Sequence, residues 1–270
     1  MSPRHSNRAT MPDPITLVTG ASSGIGAELA RVFARNGHRL VLVARRTERL
    51  EVLADEIAKG GGARPLVLTV DLQTRDAGDV IESALARAGL EPQFVVNNAG
   101  FGLAGPAASR PPAPQLDKND HNLRAQTDHS LRYSDAKERQ RGGLMNVASV
   151  AGFLPGPKHA VYYAGKAYVV SFTEALHYEW RRRNVRVTAL CPGPVPTEFQ
   201  AVADTPDGEQ KTLMTTYADQ VAEQGYRGLM AGKRLVVPGF LNKLVVYGTV
   251  FVPHALLLPL VAERQRRRGR

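Results

Sequence analysis

Residues 15–36 read ITLVTGASSGIGAELARVFARN, and the change of period inside this stretch decides the fold. Ile15 to Thr19 is a short apolar, β-branched run. Thr19-Gly20-Ala21-Ser22-Ser23-Gly24-Ile25-Gly26 follows as a glycine-rich turn. A helical pattern then continues to Asn36, where Gly37 stops it. Three glycines at this spacing, between a strand and a helix, have a physical reading. Gly20 permits the tight turn, Gly24 lets the backbone approach a pyrophosphate, and Gly26 lets helix and strand pack closely. The free N–H groups of the helix start, reached through Ser22, Ser23 and Ile25, then face an anion. Spacing and context together point to a bound nucleotide.

The same alternation continues outward. Arg39 to Ala44 is a second strand, and Thr47 is placed to cap a helix that runs to Lys59 and ends in Gly60-Gly61-Gly62. Pro65 to Val70 is a third strand, 78–88 a helix and Phe94 to Val96 a short fourth strand. Leu144 to Ala148, Val185 to Leu190 and Leu235 to Val237 complete the set. These runs are continuously apolar, as a parallel sheet buried on both faces requires. Strands alternating with helices argue for a doubly wound α/β fold. No repeat of 20–50 residues and no linker divides the chain. The expected organisation is a disordered leader over 1–13, one Rossmann-type domain over 14–243, and an apolar segment with a basic tail over 244–270. Residues 198–232 read as a mobile lid with Gly225 and Gly228 as hinges.

Composition narrows the function classes. With 43% apolar and 22% charged residues, wholesale disorder is excluded. A single cysteine, Cys191, excludes an intramolecular disulfide framework and fits a reducing compartment. The opening residues carry no apolar core for a secretory signal, so a cytoplasmic location is expected. Lys and Arg outnumber Asp and Glu by 35 to 25. The basic residues cluster at Arg181-Arg182-Arg183 and as five arginines between 264 and 270. No aromatic residues interleave with them, and neither zinc spacing nor a recognition-helix signature accompanies them, so neither nucleic acid nor metal is expected. Residues 244–261, LVVYGTVFVPHALLLPLV, form eighteen residues without a formal charge. Pro253 and Pro259 interrupt the run. It reads first as a buried or dimer-facing segment, and second as a place of peripheral membrane contact.

The carboxyl ends of the strands carry the chemistry. At the second strand an acidic residue would take the ribose 2′-hydroxyl of NAD. Here the sequence is Ala44-Arg45-Arg46, with no carboxylate until Glu48. Guanidinium groups at that place suit a 2′-phosphate, so NADP(H) is the expected cofactor. Asp71-Leu72 closes the third strand, where a carboxylate can accept a hydrogen bond from the adenine amino group. Asn97-Asn98-Ala99-Gly100 follows the fourth. Ser149 lies thirteen residues before Tyr162, and Lys166 lies four after it. Residues i and i+4 share a helix face, so Tyr162 and Lys166 can converge on one ligand. An ammonium near a phenol lowers a pKa that is otherwise about 10 and makes tyrosine usable as an acid or base. Ser149, at the end of an apolar strand, can hydrogen-bond a substrate oxygen.

TGASSGIG, NNAG, Ser149 with Tyr162-x-x-x-Lys166, and Pro192-Gly193-Pro194-Val195-Pro196-Thr197 occur in this order over roughly residues 14–200. Together they resemble the short-chain dehydrogenase/reductase family. The resemblance implies a Rossmann fold with a seven-stranded parallel sheet. It also implies NADP(H)-dependent interconversion of a secondary alcohol and a ketone or aldehyde on a small-molecule substrate, for which the apolar C-terminal run suggests hydrophobic character. It makes Tyr162 the general acid/base, Ser149 the residue that orients the carbonyl, and Lys166 the one that binds the nicotinamide ribose and lowers the tyrosine pKa. Asn122 matches the family asparagine that holds a water in a proton relay. Pro192, Gly193, Val195 and Thr197 match the segment lining the nicotinamide pocket. Adjacent Tyr163 is a rival to Tyr162, but its spacing to Ser149 and Lys166 is off by one. One departure stands out in 118–132, where Asp120, His121, Gln126 and His129 replace the aliphatics that would face the sheet and a partner subunit. The usual helix-mediated homo-oligomer interface is therefore in question. The alternative is a catalytically weak NADP-binding protein that acts through partner or membrane association.

Overall fold

The protein is described by a computed structural model covering residues 12–100, 123–139, 141–198 and 213–267. Seven parallel strands form one sheet: β1 Asp13–Thr19, β2 Leu40–Ala44, β3 Leu66–Thr69, β4 Leu90–Asn97, β5 Gly143–Val147, β6 Arg186–Leu190 and β7 Leu235–Val236. Their order is β3-β2-β1-β4-β5-β6-β7. The order reverses between β1 and β4, and at such a switch point the carboxyl ends of the strands open a ligand crevice.

The helices are α1 Gly24–Arg35, α2 Thr47–Lys59, α3 Ala77–Arg87, α4 over 123–132, α5 Ser134–Arg139, α6 Ala160–Trp180, α7 Ala218–Met230, α8 Phe240–Gly248 and α9 His254–Arg267. They cover both faces. Val18 and Leu17 are adjacent on β1 and both fully buried. Val18 packs with Phe33, Leu50 and Leu229 on one side, and Leu17 with Ile81, Leu85 and Leu176 on the other. Alternate residues of a strand point to opposite faces, so two-sided burial is what makes these strands read as unbroken apolar runs.

Several boundaries differ from the sequence expectation, each for a local reason. β4 starts at Leu90, four residues before Phe94, because β1 starts at Asp13 and the two pair from Asp13 with Leu90 onward. Pro92 hides this half of the strand, and it is accommodated where the register shifts between Ile15 and Thr16. Asp13 is thus strand rather than leader, while residues 1–11 lie outside the described residues. Thr47 does not cap α2. It is the first helical residue after Arg46, and its hydroxyl meets that of Thr69 at 2.7 Å. Gly37 ends α1 as expected, with φ 82° and its N–H donated to Ala34 O.

The expected lid is corrected over its described part. Residues 218–230 are a packed helix in which Val221, Ala222 and Leu229 are fully buried. Gly225 and Gly228 are not hinges but points of close approach. A Cβ at Gly228 would fall 2.2 Å from Val236 Cγ2, and one at Gly225 would fall 2.8 Å from Leu190 Cδ2. The apolar segment 244–261 is likewise less buried than expected. It divides into the end of α8, a 3₁₀ turn over Thr249–Phe251 and most of α9. Val246 and Leu257 are buried, but Leu244, Tyr247, Phe251, Leu256 and Leu260 are 53–85% exposed. Among the described residues, no helix is long and apolar enough to cross a membrane.

Candidate active site

The glycine turn sits at the carboxyl end of β1, against the end of β4. Gly20 (φ 65°) and Gly24 (φ 57°) take backbone conformations that other residues rarely adopt. A Cβ on Gly26 would lie 2.3 Å from both Gly20 O and Asn98 Nδ2, so only glycine lets α1 start this close to the turn. Asn98 ties the two strands together, since its Nδ2 donates to Thr19 O (3.2 Å) and Gly20 O (3.1 Å). The N–H groups of Asn98 and Ala99 donate to Thr19 Oγ1. Gly100 ends this described stretch. Ile25 packs against the core, and Ser23 precedes α1 without capping it through its side chain. The helix start is left to face the crevice.

Arg46 reaches back across this turn. Its Nη2 donates to Ser22 Oγ (3.1 Å) and Ser23 Oγ (2.9 Å), and its Nη1 donates to Glu198 Oε2 (2.8 Å). Arg45 is exposed beside it. Asp71 accepts a hydrogen bond from the N–H of Gln73 at 3.0 Å, which shapes the turn after β3. Leu72 is buried in the core, so only its backbone is open to a ligand.

Ser149, Tyr162 and Lys166 converge at the ends of β5 and α6. Ser149 is buried and opens a 3₁₀ turn by accepting a hydrogen bond from Ala151 N (3.1 Å). Its hydroxyl lies 3.4 Å from Pro192 O and is also hydrogen-bonded with the Tyr162 phenol. Lys166 Nζ donates to Val147 O (2.8 Å) and lies 6.0 Å from the centre of the Tyr162 ring. Tyr163 points elsewhere: its ring packs on the backbone of Gly156, where a Cβ would fall 2.2 Å from it. The segment after β6 closes the group. Pro192 O accepts from Val150 N (3.0 Å), Gly193 packs against Asn242, Val195 is buried, and the Thr197 methyl would be 3.0 Å from a Cβ on Gly24. Asn122 lies outside the described residues.

The electrostatics correct one expectation. Burial pushes the Tyr162 phenol up to about 12, although the hydrogen bond with Ser149 pulls it down. Burial also pushes the Lys166 ammonium down to about 8, opposed by Cys191, whose own thiol burial raises to about 12. In this structure desolvation sets the direction of the phenol, and what lowering there is comes from Ser149.

Sequence reasoning missed a buried polar network beside this site. Asn97 Nδ2 donates to Gln126 O (3.3 Å), Ser130 Oγ (3.1 Å) and Asn146 Oδ1 (3.0 Å), while Asn146 Nδ2 donates to Thr173 Oγ1 (2.9 Å). Gln126 and His129 of α4 are buried beside this network. Burial holds the His129 imidazole down to about 4. Among the described residues, no cluster of His, Cys, Asp and Glu could hold a metal ion.

The profile of the short chain dehydrogenase family matches residues 14–207. The chain belongs to that family. It is similar to the sulfoacetaldehyde reductase of Chromohalobacter salexigens, with 34% identity over 224 residues, 79% of this chain and 81% of the relative. It is 36% identical over 211 residues to the NADP-dependent 3-hydroxy acid dehydrogenase YdfG of Salmonella typhimurium, covering 76% and 83% of the two chains. Among solved structures, the short-chain dehydrogenase from Sphingobium yanoikuyae in complex with NADPH superimposes with a TM-score of 0.76 at 28% identity, over 84% of this chain and 88% of that one. A seven-stranded parallel sheet flanked by helices is the fold of this short-chain dehydrogenase.

Two observations test whether a dinucleotide with a 2′-phosphate fits. The first is a glycine turn in which Cβ atoms would strike Asn98, Thr197 or the Gly20 carbonyl, so that its backbone stays bare. The second is an arginine already hydrogen-bonded to both turn serines. Both fit.

Proposed function

We propose that this short-chain dehydrogenase uses NADP(H) to interconvert a secondary alcohol and a ketone or aldehyde, with Tyr162 transferring the proton at the substrate oxygen. The convergence of Ser149, Tyr162 and Lys166, joined to the glycine turn through the Pro192–Thr197 segment, carries the proposal. The NADPH complex of one relative and the NADP-dependent activity named for another support the same cofactor here.

Gly20, Gly24 and the start of α1 would hold the pyrophosphate, and Arg46, Arg45 and Ser22 the 2′-phosphate. Asp71, the Leu72 backbone and the Asn98–Gly100 stretch would line the adenosine side, and Pro192, Gly193, Val195 and Thr197 the nicotinamide side. When bound, the cofactor gives hydride to the substrate carbon or takes it away. Ser149 directs the substrate oxygen toward Tyr162. A phenol at about 12 is fully protonated at neutral pH and can donate its proton as a carbonyl is reduced. Lys166, still partly an ammonium with a pKa of about 8, favours the phenolate that this donation leaves. The relay role of Asn122 rests on its motif alone.

Tyr162→Phe tests this directly. Turnover of an accepted carbonyl should fall by about 10²–10⁴-fold, the usual contribution of a general acid, while NADPH binding measured by calorimetry stays intact. Turnover near the wild-type rate would overturn the assignment.

A second reading concerns where the enzyme works. Phe240, Leu244, Tyr247, Phe251, Leu256 and Leu260 expose large apolar surfaces. In the sequence the run ends at Val261 and is followed by Ala262, Glu263 and five arginines between 264 and 270. An apolar surface beside a basic cluster suits reversible attachment to an anionic lipid surface. The full chain should pellet with anionic vesicles in a salt-sensitive way and not with neutral ones, and Leu256→Glu with Leu260→Glu should abolish this. Full-length protein that stays in the supernatant with both vesicle types would end the reading.

A further inference from the structure

The clasp over the glycine turn is completed by a residue that no motif singles out. Glu198 follows Thr197 and stands 152 residues beyond Arg46 in the chain. Its two carboxylate oxygens are divided between two guanidinium groups. Oε2 accepts from Arg46 Nη1 at 2.8 Å, and Oε1 accepts from Arg49 Nη1 at 2.5 Å. The Arg46 group that binds Glu198 also binds Ser22 and Ser23 of the turn. An anion thus already occupies Arg46 Nη1, while Nη2 of the same guanidinium is held by the turn serines.

We propose that Glu198 is an internal competitor for the 2′-phosphate, which NADP(H) must displace to engage Arg46. Glu198 would thereby set how strongly the enzyme prefers NADP(H) over NAD(H). This inference rests on the reading that Arg46 holds the 2′-phosphate. Carboxylate and phosphate oxygens accept the same charge-assisted, two-pronged bonds from guanidinium. A phosphate oxygen can take the Arg46 Nη1 donor only when the Glu198 carboxylate leaves it. The two guanidinium groups hold the Glu198 carboxyl down to about 2, so the competitor is ionised at any working pH.

Exposure sets the size of the effect. Arg46, Arg49 and Glu198 side chains are 43–48% exposed, and ion pairs in that setting shift an equilibrium by about 1.5- to 5-fold each. The clasp is therefore weak enough for a doubly charged phosphate to open. It is still strong enough to weaken NADP(H) binding measurably. NAD(H) carries a 2′-hydroxyl instead and offers Arg46 no charge in exchange, so its binding gains nothing when the competitor is removed.

The experiment is isothermal titration of the full-length wild type and Glu198→Gln with NADPH, NADH and 2′,5′-ADP. Glutamine keeps the size and removes the charge, and the exposed site should leave the thermal midpoint unchanged. The variant should bind NADPH and 2′,5′-ADP roughly 3- to 10-fold more tightly, the equivalent of one or two exposed ion pairs. NADH affinity should stay within about twofold. Unchanged or weaker NADPH binding in Glu198→Gln overturns the competitor, and weaker binding would make Glu198 a positioning residue for Arg46. Failure of the underlying reading looks different: wild type would bind NADPH and NADH equally and would ignore 2′,5′-ADP.

Discussion

Lys137→Met should stabilise the protein at neutral pH and leave it unchanged in alkali. Lys137 lies on α5 and is fully buried. Its Nζ donates to Ser130 O at 3.2 Å and sits 5.5 Å from the Trp180 ring centre and 5.8 Å from that of Tyr133. Burial, helped by the Arg183 charge and opposed by Asp135, lowers its pKa from 10.5 to about 7. A difference of about 3.5 units at about 1.4 kcal/mol each means that the fold forgoes roughly 5 kcal/mol below pH 7. Between pH 7 and 10.5 the unfolded chain binds more protons than the folded one, so stability from this group rises with pH across that window. It is complete above 10.5 and lost as the pH falls through 7. Methionine has similar length and no charge to desolvate, but it gives up the bond to Ser130, worth about 1 kcal/mol. The net expectation is a gain of about 2–4 kcal/mol at pH 6.5 and a difference under about 1 kcal/mol at pH 10. Urea unfolding followed by circular dichroism, on both proteins from pH 6 to 10, reads the difference directly. Groups such as Lys166 cancel in the comparison. A gap between the two proteins that stays constant over this range would refute the reasoning.

Two other substitutions probe the fold and the cofactor crevice. Gly228→Ala places a methyl 2.2 Å from Val236 Cγ2, and the overpacking should cost about 1–3 kcal/mol in chemical denaturation; an unchanged midpoint would mean that α7 and β7 are not packed as described. Arg46→Ala should shrink the preference for NADPH over NADH by about 1.5–3 kcal/mol, the scale of a charged hydrogen bond, as measured by titration of each cofactor, and a preference that survives intact would remove Arg46 from the 2′-phosphate site.

What could be read from the sequence follows from the range over which each signal acts. The glycine turn, Arg46 and the Tyr162–Lys166 pair are local patterns; the first two meet at the end of β1, and the pair stands at the start of α6 against the end of β5. All seven strands were legible from continuous apolar runs, except that the first half of β4 was hidden by Pro92 in a polar stretch. Gly225 and Gly228 were misread because glycine serves equally for a hinge and for close packing, and only the facing Leu190 and Val236 distinguish the two. The burial of Gln126 and His129 follows from how α4 packs on the sheet, which the polar character of 118–132 does not reveal. Glu198 reaches Arg46 and Arg49 across the fold, a distance that no spacing rule spans. The tyrosine pKa depends on burial weighed against charge, which composition does not contain.

The most direct test of the account is to incubate the full-length protein with NADPH and a panel of aliphatic, aromatic and steroid-like ketones and aldehydes, following nicotinamide absorbance and alcohol formation together. The account predicts that at least one carbonyl is reduced with one NADPH consumed per alcohol formed, and that Tyr162→Phe removes this turnover while still binding NADPH. Tight NADPH binding with no carbonyl reduced across the panel would contradict it and leave a cofactor-binding protein without this chemistry.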